Sequence, residues 1–258
     1  MFFHARIFLY SLIFFGILEF VSIDFISSKL AFLSDKNFLF SVLIFFGLFF
    51  YFYQISKKIS KSSKMTPIPV FFVVGSFGLL YFIQAHWEQN VFIVLCSFIY
   101  YLIHIALYRL QTCKKDKTAI GILSGGNVAA IFLMYAVAYG IYLNFAIPLW
   151  FFMIAIIIVT TLIGFQYFLL IHENKMVVLS YSLILGFIMM EIVWVLNFWP
   201  FGYLTTSVAG LIFYFVFWDI IQCYFLEKLS KRRIVANMVF LSVIVTMVLL
   251  STRWLPAV

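Results

Sequence analysis

Charge is what this sequence has least of. Asp, Glu, Lys and Arg make up 10% of its 258 residues, where a soluble globular domain carries about 25%. With 66% hydrophobic residues, that deficit excludes an ordinary soluble protein and points to a chain that crosses a membrane several times. Cysteine is scarce too. Cys96, Cys113 and Cys223 are odd in number, and no pair has C-x-x-C or zinc-ligand spacing. Two of them read as small membrane-embedded hydrophobes and Cys113 as a loop residue. The signatures of catalysis are missing as well. The chain has no G-x-S-x-G, no H-E-x-x-H, no Walker lysine, and no Ser–His pairing suited to an intramembrane protease. It has no mid-span Lys for a Schiff base and no repeated Arg of a voltage sensor. No cofactor, no metal and no catalytic residue is expected, and an enzyme is the least favoured class.

What is present is apolar runs. A bilayer-spanning helix needs about 20 apolar residues, and nine runs qualify: 7–26, 37–55, 67–86, 91–110, 119–143, 149–171, 177–198, 204–225 and 235–252. They show no period-two alternation, so a β-barrel is excluded. They are expected as helices, because hydrocarbon leaves backbone groups no other partner. The first run is longer than a signal-peptide core and no A-x-A site follows it, so a retained first helix is expected. The 35 Phe residues fit an AT-rich codon bias.

The net charge of +8 comes from short basic clusters between the runs, which argues against nucleic acid as a partner. With a cytoplasmic N-terminus, 14 of the 17 Lys and Arg residues fall on the cytoplasmic side. They include Lys57, Lys58, Lys61 and Lys64, and Lys228, Lys231, Arg232 and Arg233. Lys29, Lys36 and Arg253 fall outside. The positive-inside rule then predicts an N-in, C-out protein. Membrane lipids are the expected partners, with anionic headgroups a secondary use of the basic clusters. Other membrane subunits are a further expectation. The connecting loops are short, so any activity resides within the membrane or at its surface.

Polar groups inside the runs are the candidate functional residues, because they are costly there and usually face the bundle interior. Glu191 interrupts 188-IMMEIVWVLNFWPF-201. It is expected at the depth of Glu19 in the first run, with Asn197 close by and Asp24 nearer the surface. Two carboxylates at one depth could share a proton and serve proton coupling. Equally, each could be bonded to a neighbour and simply hold helices together. A second layer holds His104, Asn127, Gln166, Asp219 and Gln222. A His104–Asp219 pair would suit a proton relay, and a satisfied interior histidine is the plainer reading. In 121-GILSGGNVAA-130, Gly125, Gly126, Ala129 and Ala130 form a small-residue face suited to close helix packing.

Two patterns organise the chain further. The segment 84-QAHWEQN-90 aligns with 191-EIVWVLN-197, matching Gln84, Trp87 and Asn90 to Glu191, Trp194 and Asn197. The i, i+3, i+6 spacing would put each set along one helix face. This suggests a parallel repeat, with halves 1–118 and 119–234 plus a final helix 235–252 in one integral membrane domain. The last third also resembles a group of uncharacterised bacterial multi-pass membrane proteins. The resemblance rests on E-x-x-W-x-L-x-F-x-P in 191-EIVWVLNFWP-200, Tyr214, 228-KLSKRR-233 and 252-TRW-254. It implies residence in a bacterial inner membrane and carries no activity.

The expected fold is therefore an all-α polytopic membrane bundle of nine spans. The leading functional expectation is a transporter or permease for a small or lipidic solute. Its pathway or proton-coupling candidates are Glu191, Asp219, Glu19, His104, Gln222, Asn197 and Trp194. The alternative is a non-catalytic scaffold or subunit of a membrane complex.

Overall fold

A computed structural model describes residues 2–22, 38–113, 116–145, 147–199 and 201–251. Among them run nine α-helices, and no strand occurs. In chain order these are α1 (Phe2–Ser22), α2 (Phe38–Ser60), α3 (Pro67–Phe82), α4 (His86–Thr112), α5 (Lys117–Phe145), α6 (Leu149–Phe168), α7 (Lys175–Leu196), α8 (Tyr203–Phe225) and α9 (Lys231–Ser251). Six of them, α1 and α4 to α8, are long and apolar enough to cross a membrane. The chain is a helical multi-pass membrane protein. Its surface agrees: Phe8, Phe98, Phe151, Phe187 and Met247 are exposed while Ser56, His104, Thr160 and Ser182 are buried. In water such an arrangement would be an aggregation hazard, and in lipid it is the favourable one.

The nine-span expectation is met only in part. The run expected over 67–86 is a 16-residue helix, which covers about 24 Å of a hydrocarbon core about 30 Å thick. Ile83 turns extended after it, and Gln89 Nε2 donates to the Ile83 carbonyl at 2.7 Å. The chain therefore reverses at 83–85, inside the run expected over 67–86. Gln84 lies in that turn, whereas Trp87 and Asn90 lie in α4. The aligned 191–197 segment instead closes α7, so the two sets do not share one helical setting. The expected acid Asp24, the outer Lys29 and Lys36, and the terminal Trp254 lie outside the described residues.

Short polar residues set the helix ends. Asp116 Oδ1 accepts from the Thr118 and Ala119 amides to open α5, and Asn174 Oδ1 accepts from Met176 and Val177 to open α7. Both satisfy donors that a helix start leaves unpaired. The Thr118 hydroxyl also donates to Asp116 Oδ1 at 2.6 Å, and this bond above all holds the Asp116 carboxyl below its ordinary range. Pro67 sits in the first turn of α3, where its missing amide is not needed.

The helices gather into two compact units, Met1–Ala130 and Ile131–Val258. In the first, α1 packs along α4, and α2 and α3 also lean on α4. The core there is an aromatic cluster. The Tyr100 ring on α4 lies 4.5 Å from Phe14 of α1, 6.0 Å from Phe52 of α2 and 4.1 Å from His104. Gly126 faces Ile103 and Ile68, while Gly125 meets nothing within 4 Å. Only one edge of the expected small-residue face is thus used.

In the second unit, α6 and α7 form the most extensive pair, α8 packs on α7 and α9 on α8. Gly186 lets α6 and α7 approach closely. A Cβ there would collide with the Thr161 hydroxyl and lie 3.2 Å from the Ile157 backbone oxygen.

Candidate functional site

The carboxylates of the second unit have distinct settings. Asp219 lies in α8, six residues before its last helical residue, or about 9 Å inside the helix end. The turn beyond it is built for a tight reversal. Glu227 takes the left-handed conformation (φ 56), and the amides of Glu227 and Lys228 donate to the Tyr224 and Cys223 carbonyls. That is the hydrogen-bond pair of a Schellman stop. Ser230 then accepts from the Arg233 amide to open α9. The reversal carries α9 back along α8, so that Arg233 and Asn237, four residues apart, share the face towards Asp219. Arg233 Nη2 donates to Asp219 Oδ1 at 3.1 Å, Asn237 Nδ2 donates to Oδ2 at 2.8 Å, and the Cys223 thiol approaches Oδ2 at 3.7 Å. Both carboxylate oxygens are occupied by donors. Gln222, one turn on, is half-buried.

Glu191 is placed differently. It lies in α7, five residues before the helix end, and is exposed. No hydrogen bond or ion pair reaches it among the described residues. Its face is apolar: Ile184, Phe187, Trp194, Val195 and Phe198 are exposed too, at the spacing of one helical stripe. Trp194 packs edge-on to Phe198 at 5.5 Å. The turn-mate Asn197 points elsewhere, donating through Nδ2 to the Tyr142 hydroxyl at 3.0 Å.

Asn197 ends a polar row that sequence reasoning missed. Tyr135, Tyr139 and Tyr142 follow i, i+4, i+7 spacing on α5. Tyr135 shares a hydrogen bond with Thr160 of α6 at 2.8 Å, and Tyr139 donates to the Val193 carbonyl of α7 at 3.1 Å. The spacing stands in the sequence, but a neutral hydroxyl in a span costs far less than a carboxylate and marks its role less sharply.

In the first unit, His104 is fully buried. Its Nδ1 lies 2.9 Å from the Tyr100 carbonyl, and its Nε2 lies 3.5 Å from the Ser56 hydroxyl on α2. Glu19 is half-buried in α1. His104 and Glu19 thus belong to one unit, and Asp219 and Glu191 to the other. Asn127 and Gln166 are buried. Among the described residues no three His, Cys, Asp or Glu gather as a metal would require.

Residues 51–251 match the model of a family described as a protein of unknown function (DUF5656). The match covers most of the chain, well beyond the last third in which the sequence resemblance was seen. No curated protein and no solved structure matches.

Proposed function

For a chain that belongs to the DUF5656 family, we propose the role of a non-catalytic membrane subunit, which holds a partner's transmembrane helix against α7. The observation that carries this reading is the outward carboxylate of Glu191 amid exposed apolar side chains. A charged group within a span costs about 2.5–3.5 kcal/mol at the helix centre. An acid with no donor among the described residues is best relieved by a helix that brings one, either a cationic or an amide or hydroxyl side chain. The transport reading needs Glu191 and Asp219 to line a solute route. Asp219 instead has both oxygens committed to Arg233, Asn237 and Cys223, which weighs for a helix-holding role.

The test is photo-crosslinking in native membranes, with the crosslinker at Phe187 or Trp194 and, as control, at exposed Ile158 of α6. The expected result is a discrete polypeptide adduct from the α7 positions alone. Glu191→Leu should remove that adduct and Glu191→Gln should keep it. Lipid adducts alone, indistinguishable from those at Ile158, would sink the subunit reading. So would labelling of a cysteine at 191 by impermeant thiol reagents, because that requires a water-filled vestibule.

A further inference from the structure

The basic end of the first unit holds a groove that this role does not use. It is an open groove of about 570 Å³, lined by Tyr10 of α1 and by Tyr51, Gln54, Ile55, Lys57 and Lys58 of α2, a volume within the usual range for ligand sites. The packing accounts for it: α1 and α2 each lean on α4, meeting through the buried Phe14–Phe52 contact at 5.6 Å while their basic ends stand apart. The rim is positive. Lys57 and Lys58 occupy the last turn of α2 and line the groove together with Tyr10 of the candidate span α1. Arg6 Nε donates to the Tyr10 hydroxyl at 3.0 Å, with its guanidinium carbon 5.8 Å from the centre of that ring. No carboxylate pairs with Arg6, Lys57 or Lys58 among the described residues. Away from the rim, Phe50 of α2, one turn from Gln54, is exposed, and Ile13 and Ile17 of α1, on the Tyr10 face, are half-buried, an apolar continuation towards the bilayer interior.

We propose that this groove binds the headgroup of an anionic phospholipid, with its phosphate against Lys57 and Lys58, Tyr10 and Tyr51 flanking the glycerol, and its acyl chains along Phe50 of α2 and the Ile13 and Ile17 face of α1. Three unpaired cations ask for an anion. The phenols and Gln54 offer neutral donors for its remaining oxygens. The apolar surface beyond the rim suits an anion with hydrocarbon attached, and basic pockets between helices at the membrane boundary are suited to phosphate headgroups. The site is independent of Glu191, so failure of either reading leaves the other standing.

The test uses the full chain, purified in detergent and titrated with phosphatidylglycerol or phosphatidylcholine, with bound lipid counted by native mass spectrometry. Phosphatidylglycerol should bind selectively. Lys57→Ala with Lys58→Ala should weaken its binding by about 30-fold, on the scale expected for two lysines at an anionic surface. Both side chains are exposed, so the fold should survive, and the Lys→Arg pair should retain binding. Lys228→Ala with Lys231→Ala, which removes equal charge elsewhere, should have no such effect. Equal loss in that control, equal retention of phosphatidylcholine, or full displacement by inorganic phosphate would each overturn the lipid site.

Discussion

Gly186→Val is expected to abolish recovery of monodisperse protein in detergent, the largest effect of any single substitution considered. Gly186 is where α7 comes closest to α6. A β-carbon there strikes the Thr161 hydroxyl and crowds the Ile157 carbonyl oxygen at 3.2 Å. A long side chain could rotate away, but Ile157 presents backbone, which moves only if the helices part. Overpacking of this kind costs about 1–3 kcal/mol and occasionally more, and here it acts on the most extensive helix pair of the unit. Gly164→Ala, on the same pair, is the control. Its β-carbon would meet Leu185, Phe168 and Ser182 at 3.6–3.9 Å, ordinary contact distances, so that variant should elute like the wild type. Equal tolerance of both substitutions would show that the close approach at Gly186 is not made.

Asp219→Ala should lower the melting temperature in detergent more than Asp219→Asn does. The alanine removes the acceptor from two donors on α9 at once, Arg233 and Asn237. Hydrogen bonds to a charged group are worth about 1.5–3 kcal/mol each. The Arg233 side chain is 48% exposed, however, against 15% for Asp219, so water and headgroups can satisfy the freed guanidinium, and the loss should sit near the lower figure. At about 2–4 °C per kcal/mol, a drop of several degrees is expected. Combining Asp219→Ala with Arg233→Ala should cost less than the sum of the two single changes. Strict additivity would mean that the pair contributes nothing. A transporter predicts a different pattern, in which Asp219→Asn abolishes flux while stability holds.

The fold class was legible because hydrocarbon imposes one rule, that long apolar runs become helices. Their count was harder to read, since apolarity does not mark where a run stops. The segment that starts at Pro67 stays largely apolar through Ile83, yet Ile83 leaves the helix and shortens it to 16 residues. The candidate site was legible by residue type and illegible by direction. Asp219 and Glu191 look alike as acids within apolar runs, and only helix rotation separates them: one turns towards Arg233, the other outward. Arg233 lies in the basic cluster at 228–233, which reads as a topology signal, and nothing in its spacing from Asp219 shows that a Schellman stop will fold it back. The close contact at Gly186 was equally hidden. Gly125 and Gly126 stand together as a small-residue pattern, while Gly186 is a lone glycine among large side chains.

The last helix has a kinetic consequence. α9 packs mainly on α8, and Val235, Val239, Phe240, Val243, Met247 and Leu250 along it are exposed. A segment with so few contacts opens at a free energy well below that of global unfolding. In hydrogen exchange its amides should trade protons as one early group, ahead of those of α6 and α7. Asp219 and Arg233 would then act as the latch that sets how often this group opens, and in Asp219→Ala the α9 amides should exchange faster while those of α6 keep their rate.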